Sequence, residues 1–574
     1  MTFKSFVISH KLAIFNGLIL AALIISPLFI FPAMSGNSYR GIAIADNGTD
    51  ELLYLSRGKD VLEGHHLGNP LFREGKDSQD PFFTYVEYLM LAPVKLLGLE
   101  NRADITAIYA FYNFTGVFIL ALLIYFFLLR LSGDRLLSAL APALVIGGYA
   151  LLDYRLLFSI NLYGRAFSPY IPVLAAFLYY NLLVLCLKSP EWKYKIFAGI
   201  SFGFLFYVYL YAWSFVLVLN CVLFTLYFFK KDFAGAKKLF IITILGLGIG
   251  SYNIAKLLLF FFSENSRQLS YFVGTSHSHA PTLSAAGFAA LILLYVFARK
   301  NREDKNIPLF LAFILSGWIV MNQQILTGIE LQSDHWSSYF IGPAIIIIAA
   351  YIVWSFIRGY KYKKILAVFI FTTVFFNVAI GQYRAARTLF DLKQDRQNYR
   401  PIIDYLNKDA APEVILAADN QQEYLFTIYT PHDLFWARAF LIVNVPVQRI
   451  KDAFYVYSYL DKKSRNNLTG AAPYLNIYQA LEGYESGLDE SDYNRKRAAG
   501  DEAILKERSE LLRKLSREYG AITAKKNGIT NLLKTYGVAY IVWDKSKNPD
   551  WDLSVIGGLE EAVFSKDIYL YKLK

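Results

Sequence analysis

The chain has 574 residues and a mass of 65.4 kDa, with 55% hydrophobic residues, 18% charged residues and a mean hydropathy of +0.34. A soluble protein carries about a quarter charged residues, so this composition excludes a soluble enzyme, a disordered chain and a coiled coil. The net charge of +12 raises nucleic acid as a partner, but residues 384–574 carry 28 basic and 26 acidic side chains, so the excess lies in the apolar part. A membrane rim is the better sink for it, and no nucleic-acid partner is expected.

The apolar residues fall in long runs up to about Tyr383, and ordinary globular composition follows. A helix needs about 20 apolar residues to cross a bilayer. Eleven runs qualify: 12–34, 106–129, 136–152, 169–187, 196–211, 213–229, 239–262, 282–298, 306–329, 338–357 and 365–383. The stretch 196–229 is too long for one helix and is split near Tyr211-Ala212-Trp213. The expected architecture is an α-helical polytopic membrane domain over 1–383, with a long first external loop at 35–105, and a C-terminal α/β domain over 384–574.

Orientation follows from where the cations fall. Loops assigned inside carry Lys4 and Lys11, Arg130 and Arg135, and Lys188, Lys193 and Lys195. Further along they carry Lys230, Lys231, Lys237 and Lys238, then Arg299, Lys300, Arg302 and Lys305, then Arg358, Lys361, Lys363 and Lys364. The later short outside loops carry only Arg155, Arg165 and Arg267. This places the N-terminus in the cytoplasm and the C-terminal domain outside, as a multi-pass protein of the plasma (inner) membrane. The stretch Pro81–Leu99 competes as a span, but counting it would invert every later loop, and it carries Glu87, Pro93 and Lys95. It reads as an amphipathic helix lying on the outer membrane face. The first span lacks an A-x-A-like cleavage site and reads as a retained anchor.

The outward face collects the polar chemistry. The loop from about Ser35 to Ile105 holds Asp46, Asp50, Glu51, Asp60, Glu63, Glu74, Asp77, Asp80 and Glu87. Within it, TDELLYLSRGKDVLEG reads as a short helix with Thr49 as N-cap and Asp50 and Glu51 in the first turn. A carboxylate at the water–lipid boundary can act as general base toward an acceptor hydroxyl. Stabilising a helix N-terminus is the plain alternative for Asp50 and Glu51. Cys186 and Cys221 lie in apolar runs and form neither a disulfide framework nor a metal spacing. Six of the seven histidines, His65, His66, His277, His279, His335 and His432, fall outside; only His10 is inside.

The stretch Asp50–Gly98 resembles the first external loop of the GT-C superfamily of membrane glycosyltransferases. It is closest to the aminoarabinose (lipid A) transferase and protein O-mannosyltransferase branch. The matching residues are Asp50-Glu51, Tyr54, Arg57, Gly64, Asn69-Pro70, Glu74, Lys76, Pro81 and Leu97-Gly98. In the tail, KTYGVAYIVW (Lys534–Trp543) is similar to a strand-forming stretch of the external domains of such proteins. Two features depart from the pattern. The family's Glu-Lys-Pro-Pro run is replaced by Glu74–Pro81, and the Trp-Trp-Asp-Tyr-Gly motif of oligosaccharyltransferases is absent.

The resemblance implies transfer of a sugar from a polyprenyl-phosphate donor to an acceptor hydroxyl of a glycan, lipid or protein on the outer face, with inversion. Asp50 would be the catalytic base, with Asp46 and Glu51 as fallbacks. Arg57, Lys76, Arg155, Arg165 and Arg267 are candidates for the departing phosphate, for which arginine offers paired donors; an interfacial anchor is the alternative for each. His65, His66, His277, His279, Asp334 and His335 are further cavity candidates. A divalent metal on His277 and His279, with Asp334 and His335, is an open alternative, without a specific ligand spacing. Lys256 is an intramembrane cation near the outer end of its run. Asp153–Arg155 and Asn161–Arg165 read as a cavity rim.

In the tail, 401–406 and 501–519 read as helices, and 413–417, 536–543 and 567–571 as strands, an α/β layer. Tyr424, Thr430, Pro431, His432, Trp436 and Arg438 form an aromatic-polar segment that could touch a sugar or belong to ordinary core. Two other functions stay open: a flippase or transporter of lipid-linked saccharides, and a non-catalytic membrane assembly protein.

Overall fold

The computed structural model describes residues 3–44, 49–78, 80, 84–100, 104–148, 161–165, 170–262, 276–409, 411–418, 422–437, 445–468, 481, 495–496 and 498–574. Asp46, Asp153, Arg155, Arg267 and Arg438 lie outside the described residues, as does the side chain of His277.

The apolar runs fold as helices that end at the residues their sequences supply. The first run is interrupted, as α1 (Phe3–Ile25) and α2 (Pro27–Ser35), because Pro27 has no N–H to continue the ladder. Next come α3 (Thr49–Glu63), α4 (Val86–Leu96), α5 (Ile105–Ser132), α6 (Arg135–Pro142) and α7 (Tyr170–Lys188). They are followed by α8 (Trp192–Leu205), α9 (Leu210–Phe229), α10 (Phe233–Phe261), α11 (Ala285–Lys300) and α12 (Ile307–Met321). The last two of the bundle are α13 (Ser333–Ile357) and α14 (Lys363–Thr388).

Eight of these helices, α1, α5, α7, α9, α10, α12 with its continuation to Thr327, α13 and α14, are long and apolar enough to cross a membrane. The protein is a membrane protein. The three other expected spans are helical but shorter: α6 with its π-helical extension to Gly147, α8 with 14 residues and α11 with 16. The break between α8 and α9 falls at 206–209, ahead of the expected Tyr211-Ala212-Trp213. Tyr209 is extended there (φ −168°, ψ 131°).

Close crossings use small residues, since lipid offers no hydrophobic drive between helices. At the α8–α10 seam a Cβ on Gly203 would lie 2.5 Å from the Ile249 Cβ, and one on Gly246 would run into the Phe202 ring. A cationic side chain closes a helix end: Lys238 Nζ donates to the Cys186, Leu187 and Ser189 carbonyls at 2.9, 3.1 and 2.9 Å, in the last turn of α7 and just after it.

The tail follows α14 through α15 (Phe390–Arg396) and α16 (Arg400–Leu406). Its strands are β3 (Val414–Ala417), β4 (Asp433–Leu434), β5 (Val538–Asp544), β6 (Leu559–Ser565) and β7 (Ile568–Leu573); β1 (Ser276–His277) and β2 (Ile329–Glu330) pair separately in the bundle. The five-stranded order is β4-β3-β5-β7-β6. β3 runs parallel to β4 and β5, whereas β7 is antiparallel to β5 and β6. Central β3 is apolar and buried throughout, as a strand covered on both faces requires. Edge strand β6 carries Glu560 and Glu561, which discourage pairing with another chain. Helices α17 (Tyr424–Tyr429), α18 (Val447–Leu460), α19 (Glu502–Thr523) and α20 (Gly528–Thr535) complete the domain.

The first long loop is shared between bundle and tail. Leu434 N–H donates to the Leu71 carbonyl at 2.7 Å, and Arg73 Nη2 to the Pro412 carbonyl at 2.7 Å. The Gln397 amide holds Ile42 on both sides, donating to its carbonyl at 2.8 Å and accepting from its N–H at 3.3 Å. Arg449 of α18 reaches the loop between the rings of Phe72, Phe435 and Tyr536, at 4.9, 4.6 and 4.1 Å.

Candidate active site at the tail-bearing end of the bundle

Helix α3 begins at Thr49, one residue ahead of an N-cap at that position, and carries Asp50 and Glu51 in its first turn. Its apolar side, Leu52, Leu53, Leu55, Val61 and Leu62, is buried. Gly58 faces α5 so closely that a Cβ would lie 2.6 Å from the Tyr109 hydroxyl, which itself donates to the Tyr54 carbonyl at 3.2 Å. On its other side, the Ser56 hydroxyl bonds Thr427 of α17 at 2.8 Å.

Facing the start of α3 is the turn 161–165. It is a single 3-10 turn, Leu162–Gly164 with its flanking residues, at the end of a helical bundle, so its free polar groups need partners inside the protein. Asn113 of α5 donates to the Tyr163 and Arg165 carbonyls at 3.0 and 2.9 Å. Gln382 of α14 accepts from Asn161 N–H at 2.8 Å and donates to the Ile24 carbonyl at 2.6 Å. Asn161 donates to the Ile146 carbonyl at 2.7 Å. The Arg165 guanidinium then spans both acids, with Nη2 to Asp50 at 2.7 Å and Nε to Glu51 at 2.5 Å. Side-chain exposures are 52% for Asp50, 1% for Glu51 and 19% for Arg165. Burial lifts the Glu51 carboxyl above the usual range, against the pull of Arg165. Glu51 is therefore the inner anchor of Arg165, and Asp50 the carboxylate open to a reacting molecule.

A third wall comes from the start of α13, where Ser337–Ile341 form a π-helical turn. Tyr339 lies against Arg165 as a hydrogen-bond partner and within the field of Asp50. His335 lies within the field of Arg165, Asp50 and Asp334, and its Nδ1 bonds the Tyr209 hydroxyl at 2.6 Å. The contribution of Tyr209, Tyr211 and Tyr339 was not evident from the sequence, because they lie in apolar runs.

Two expected phosphate ligands are placed elsewhere. Arg57 is 1% exposed and bonded to Glu87 at 2.8 Å, to Asp80 at 3.0 and 3.3 Å and to Thr84 at 3.2 Å, so it presents no face to a donor. Lys76 bridges Asp60 at 2.5 Å and Asp433 at 2.9 Å and ties the loop to the tail. One ammonium there serves two buried carboxylates, and burial raises Asp60 to about 6.

His65 and His66 lie at the far end of α3, where Asp77 is 3.5 Å from His65 Nδ1 and accepts from His66 N–H at 3.0 Å. The helical rise sets them about 20 Å from Asp50. A cavity of about 460 Å³ opens there, lined by Glu63, His65, Arg73, Lys76, Asp77 and Asp433.

Lys256 of α10 rests on the Tyr252 ring at 4.8 Å and donates to the Tyr85 hydroxyl at 3.4 Å. His279 Nδ1 lies 3.1 Å from the Ile325 carbonyl. Among the described residues no three His, Cys, Asp or Glu side chains converge as metal ligands. In the tail, Tyr424, Thr430, His432 and Trp436 are at most 2% exposed and form core instead of a sugar surface. His432 accepts from Glu413 N–H at 2.9 Å and donates to the Leu406 carbonyl at 3.1 Å.

No family model matches the chain, and no curated protein matches it. Among solved structures it is similar to the oligosaccharyltransferase AglB of Archaeoglobus fulgidus in complex with an inhibitory peptide and a dolichol-phosphate. That likeness has 10% identity over 95% of this chain and 70% of the other, with a TM-score of 0.48. The same enzyme tethered with an acceptor peptide gives 12% identity over 84% and 71%, with a TM-score of 0.47. ArnT from Cupriavidus metallidurans bound to undecaprenyl phosphate gives 13% identity over 75% and 86%, with a TM-score of 0.43. At these identities and TM-scores the likeness assigns no residue a role.

Proposed function

We propose that the protein is an integral membrane glycosyltransferase of the GT-C type. It moves a sugar from a polyprenyl-phosphate donor to an acceptor hydroxyl on the outer face of the membrane, with Asp50 as general base. The observation that carries this reading is the pair of carboxylates Asp50 and Glu51 bridged by Arg165, with only the Asp50 carboxylate open to solvent.

In this mechanism Asp50 takes the proton of the acceptor hydroxyl, whose oxygen forms the new bond to the anomeric carbon. The bond from that carbon to the phosphate oxygen breaks, and the polyprenyl phosphate leaves with the electron pair. Attack opposite the leaving group inverts the anomeric centre. Arg165, held in place through Glu51, meets the charge that accumulates on the phosphate with donors already aimed at it. Phosphate and Asp50 compete for Nη2, so donor binding frees the base as it fills the site. Proton transfer of this kind contributes about 10²–10⁴-fold.

The test is Asp50→Asn, assayed with purified protein and a radiolabelled polyprenyl-phosphate sugar. Transfer is expected to fall by about 10²-fold or more, while affinity for the lipid phosphate is retained. Full transfer by the variant would remove Asp50 from the role.

A further inference from the structure

One end of α10 carries a cation that the proposed transfer does not use. Lys256 and Lys237 lie on this helix 19 residues apart. The helical rise separates them by about 28 Å, close to the thickness of about 30 Å of the hydrocarbon core of a bilayer. Tyr85, which meets Lys256, belongs to the first long loop. Lys256 therefore stands at the lipid–water boundary of the tail-bearing side, and Lys237 at the opposite boundary.

The surroundings of Lys256 are built from three parts of the chain. Tyr85 N–H donates to the Tyr207 carbonyl at 2.9 Å, and the Tyr207 hydroxyl donates to the Ile249 carbonyl at 2.8 Å. These bonds join the loop, the break between α8 and α9, and α10. Lys256 Nζ donates to the Tyr85 hydroxyl at 3.4 Å and lies 4.8 Å from the centre of the Tyr252 ring, whose hydroxyl is a second hydrogen-bond partner. An ammonium accepts nothing, so both phenol oxygens accept from it and keep their own O–H to donate. With the third ammonium hydrogen, three donors are gathered around one positive charge. Among the described residues no carboxylate is paired with Lys256. Such a set suits an anion with several acceptor oxygens.

The helix surface below Lys256 suits the rest of a lipid. Leu245, Ile249, Tyr252 and Leu259 are exposed, and with Lys256 they follow one another at spacings of four, three, four and three residues, which puts all five on one face. Leu245 lies 11 residues before Lys256, a rise of about 16 Å, which is the depth of one leaflet. A free anion needs no such apolar stripe, whereas an acyl chain does. A headgroup amine finds no carboxylate there among the described residues, so an anionic headgroup is favoured over a zwitterionic one.

We infer that Lys256, Tyr85 and Tyr252 hold the phosphate of an anionic glycerophospholipid in the leaflet on the tail-bearing side, with an acyl chain along Ile249 and Leu245. The site shares no residue with the Arg165 position and does not depend on the transferase reading.

Photolabelling tests it. Full-length protein in phosphatidylcholine nanodiscs receives trace phosphatidylglycerol or trace phosphatidylcholine, each with a diazirine on the acyl chain, and labelled peptides are mapped by mass spectrometry after irradiation. Phosphatidylglycerol is expected to label residues 245–252 about fivefold more than phosphatidylcholine, the upper range for a partly exposed ion pair. Lys256→Met is expected to bring the two lipids level, and Tyr252→Phe to remove about half of the excess. Labelling near Lys237 is expected to match the wild type in both variants, which reports that they are folded. Equal labelling by the two lipids in the wild type, or an excess that survives Lys256→Met, would overturn the site. Loss of the excess on adding inorganic phosphate would do the same, because the ligand would then be a free ion. Loss on adding a polyprenyl phosphate would overturn it too, by giving the position to that lipid.

Discussion

Replacing Arg57 by Met isolates the difference between a structural and a phosphate-binding arginine. The guanidinium sits in contact with Asp80 and Glu87, and the three side chains are 1%, 6% and 1% exposed. Met fills much of the same volume but leaves two carboxylates facing each other without a cation. Breaking a buried ion pair by removing one partner costs about 3–5 kcal/mol. Domain stabilities are about 5–15 kcal/mol, so the loss consumes a large share of the total. The Glu87 carboxyl, already raised by burial against the pull of Arg57, has to take up a proton on folding once that pull is gone. Heating the purified protein while following tryptophan fluorescence and monodispersity should show a clear drop in the midpoint.

The triple variant Arg57→Met, Asp80→Asn and Glu87→Gln leaves no buried charge unpaired and should recover most of that loss. Affinity for a polyprenyl phosphate, expressed per folded molecule, should be unchanged in both. A single variant that melts with the wild type, or one that stays folded yet loses phosphate affinity, would refute the structural assignment.

Three other perturbations probe separate contacts. Asp60 has its pKa raised to about 6 from an ordinary 3.8, so its contribution to stability is full below about pH 4 and is lost as pH rises through about 6. The wild type should therefore lose up to about 3 kcal/mol relative to Asp60→Asn between pH 4 and pH 8, measured as the difference in unfolding midpoints; parallel curves would contradict the shift. Gly68→Ala would drive a Cβ into the Gly75 carbonyl, in a turn closed by Gly68 N–H to the Lys76 carbonyl at 3.1 Å. A loss of about 1–3 kcal/mol is expected, read as faster proteolysis within residues 67–78. Arg165→Lys keeps a cation beside Glu51 but loses the fork that reaches Asp50 as well, so bare polyprenyl phosphate should bind about tenfold more weakly with little change in melting.

The sequence carried the features that depend on neighbours along the chain. Apolar runs located every helix of the bundle, and the acidic first turn located α3 and its two carboxylates. The three strand stretches and two helices read in the tail are all present within a few residues. What the sequence could not carry were pairings between distant positions. Arg57 looked like a surface cation because its partners Asp80 and Glu87 are 23 and 30 residues away. Tyr209 and His335 are 126 residues apart, one at the end of an apolar run and the other in a short polar segment between two runs. Trp436 and His432 have the composition of a sugar surface, yet the sheet of the tail buries them. Residue type alone cannot distinguish those outcomes, since aromatic and histidine side chains serve both.

The position of Asp50 depends on contacts from three separate parts of the chain. Gly58 and Tyr109 set the distance of α3 from the bundle, Arg165 fixes its first turn, and Thr427 of the tail holds Ser56 in its middle. A 15-residue helix in water is only marginally stable by itself, so without these contacts its first turn would fray. The contact from the tail is the one with no counterpart in the bundle. It is reinforced by Lys76 to Asp433 and by the strand-like bond from Leu434 to Leu71, which keep the same loop from sliding along the domain. The tail is thus a brace for α3. Loosening it at Thr427 or Asp433 should therefore lower turnover more than donor affinity, because Arg165 is anchored by the bundle through Asn113 and not by the tail.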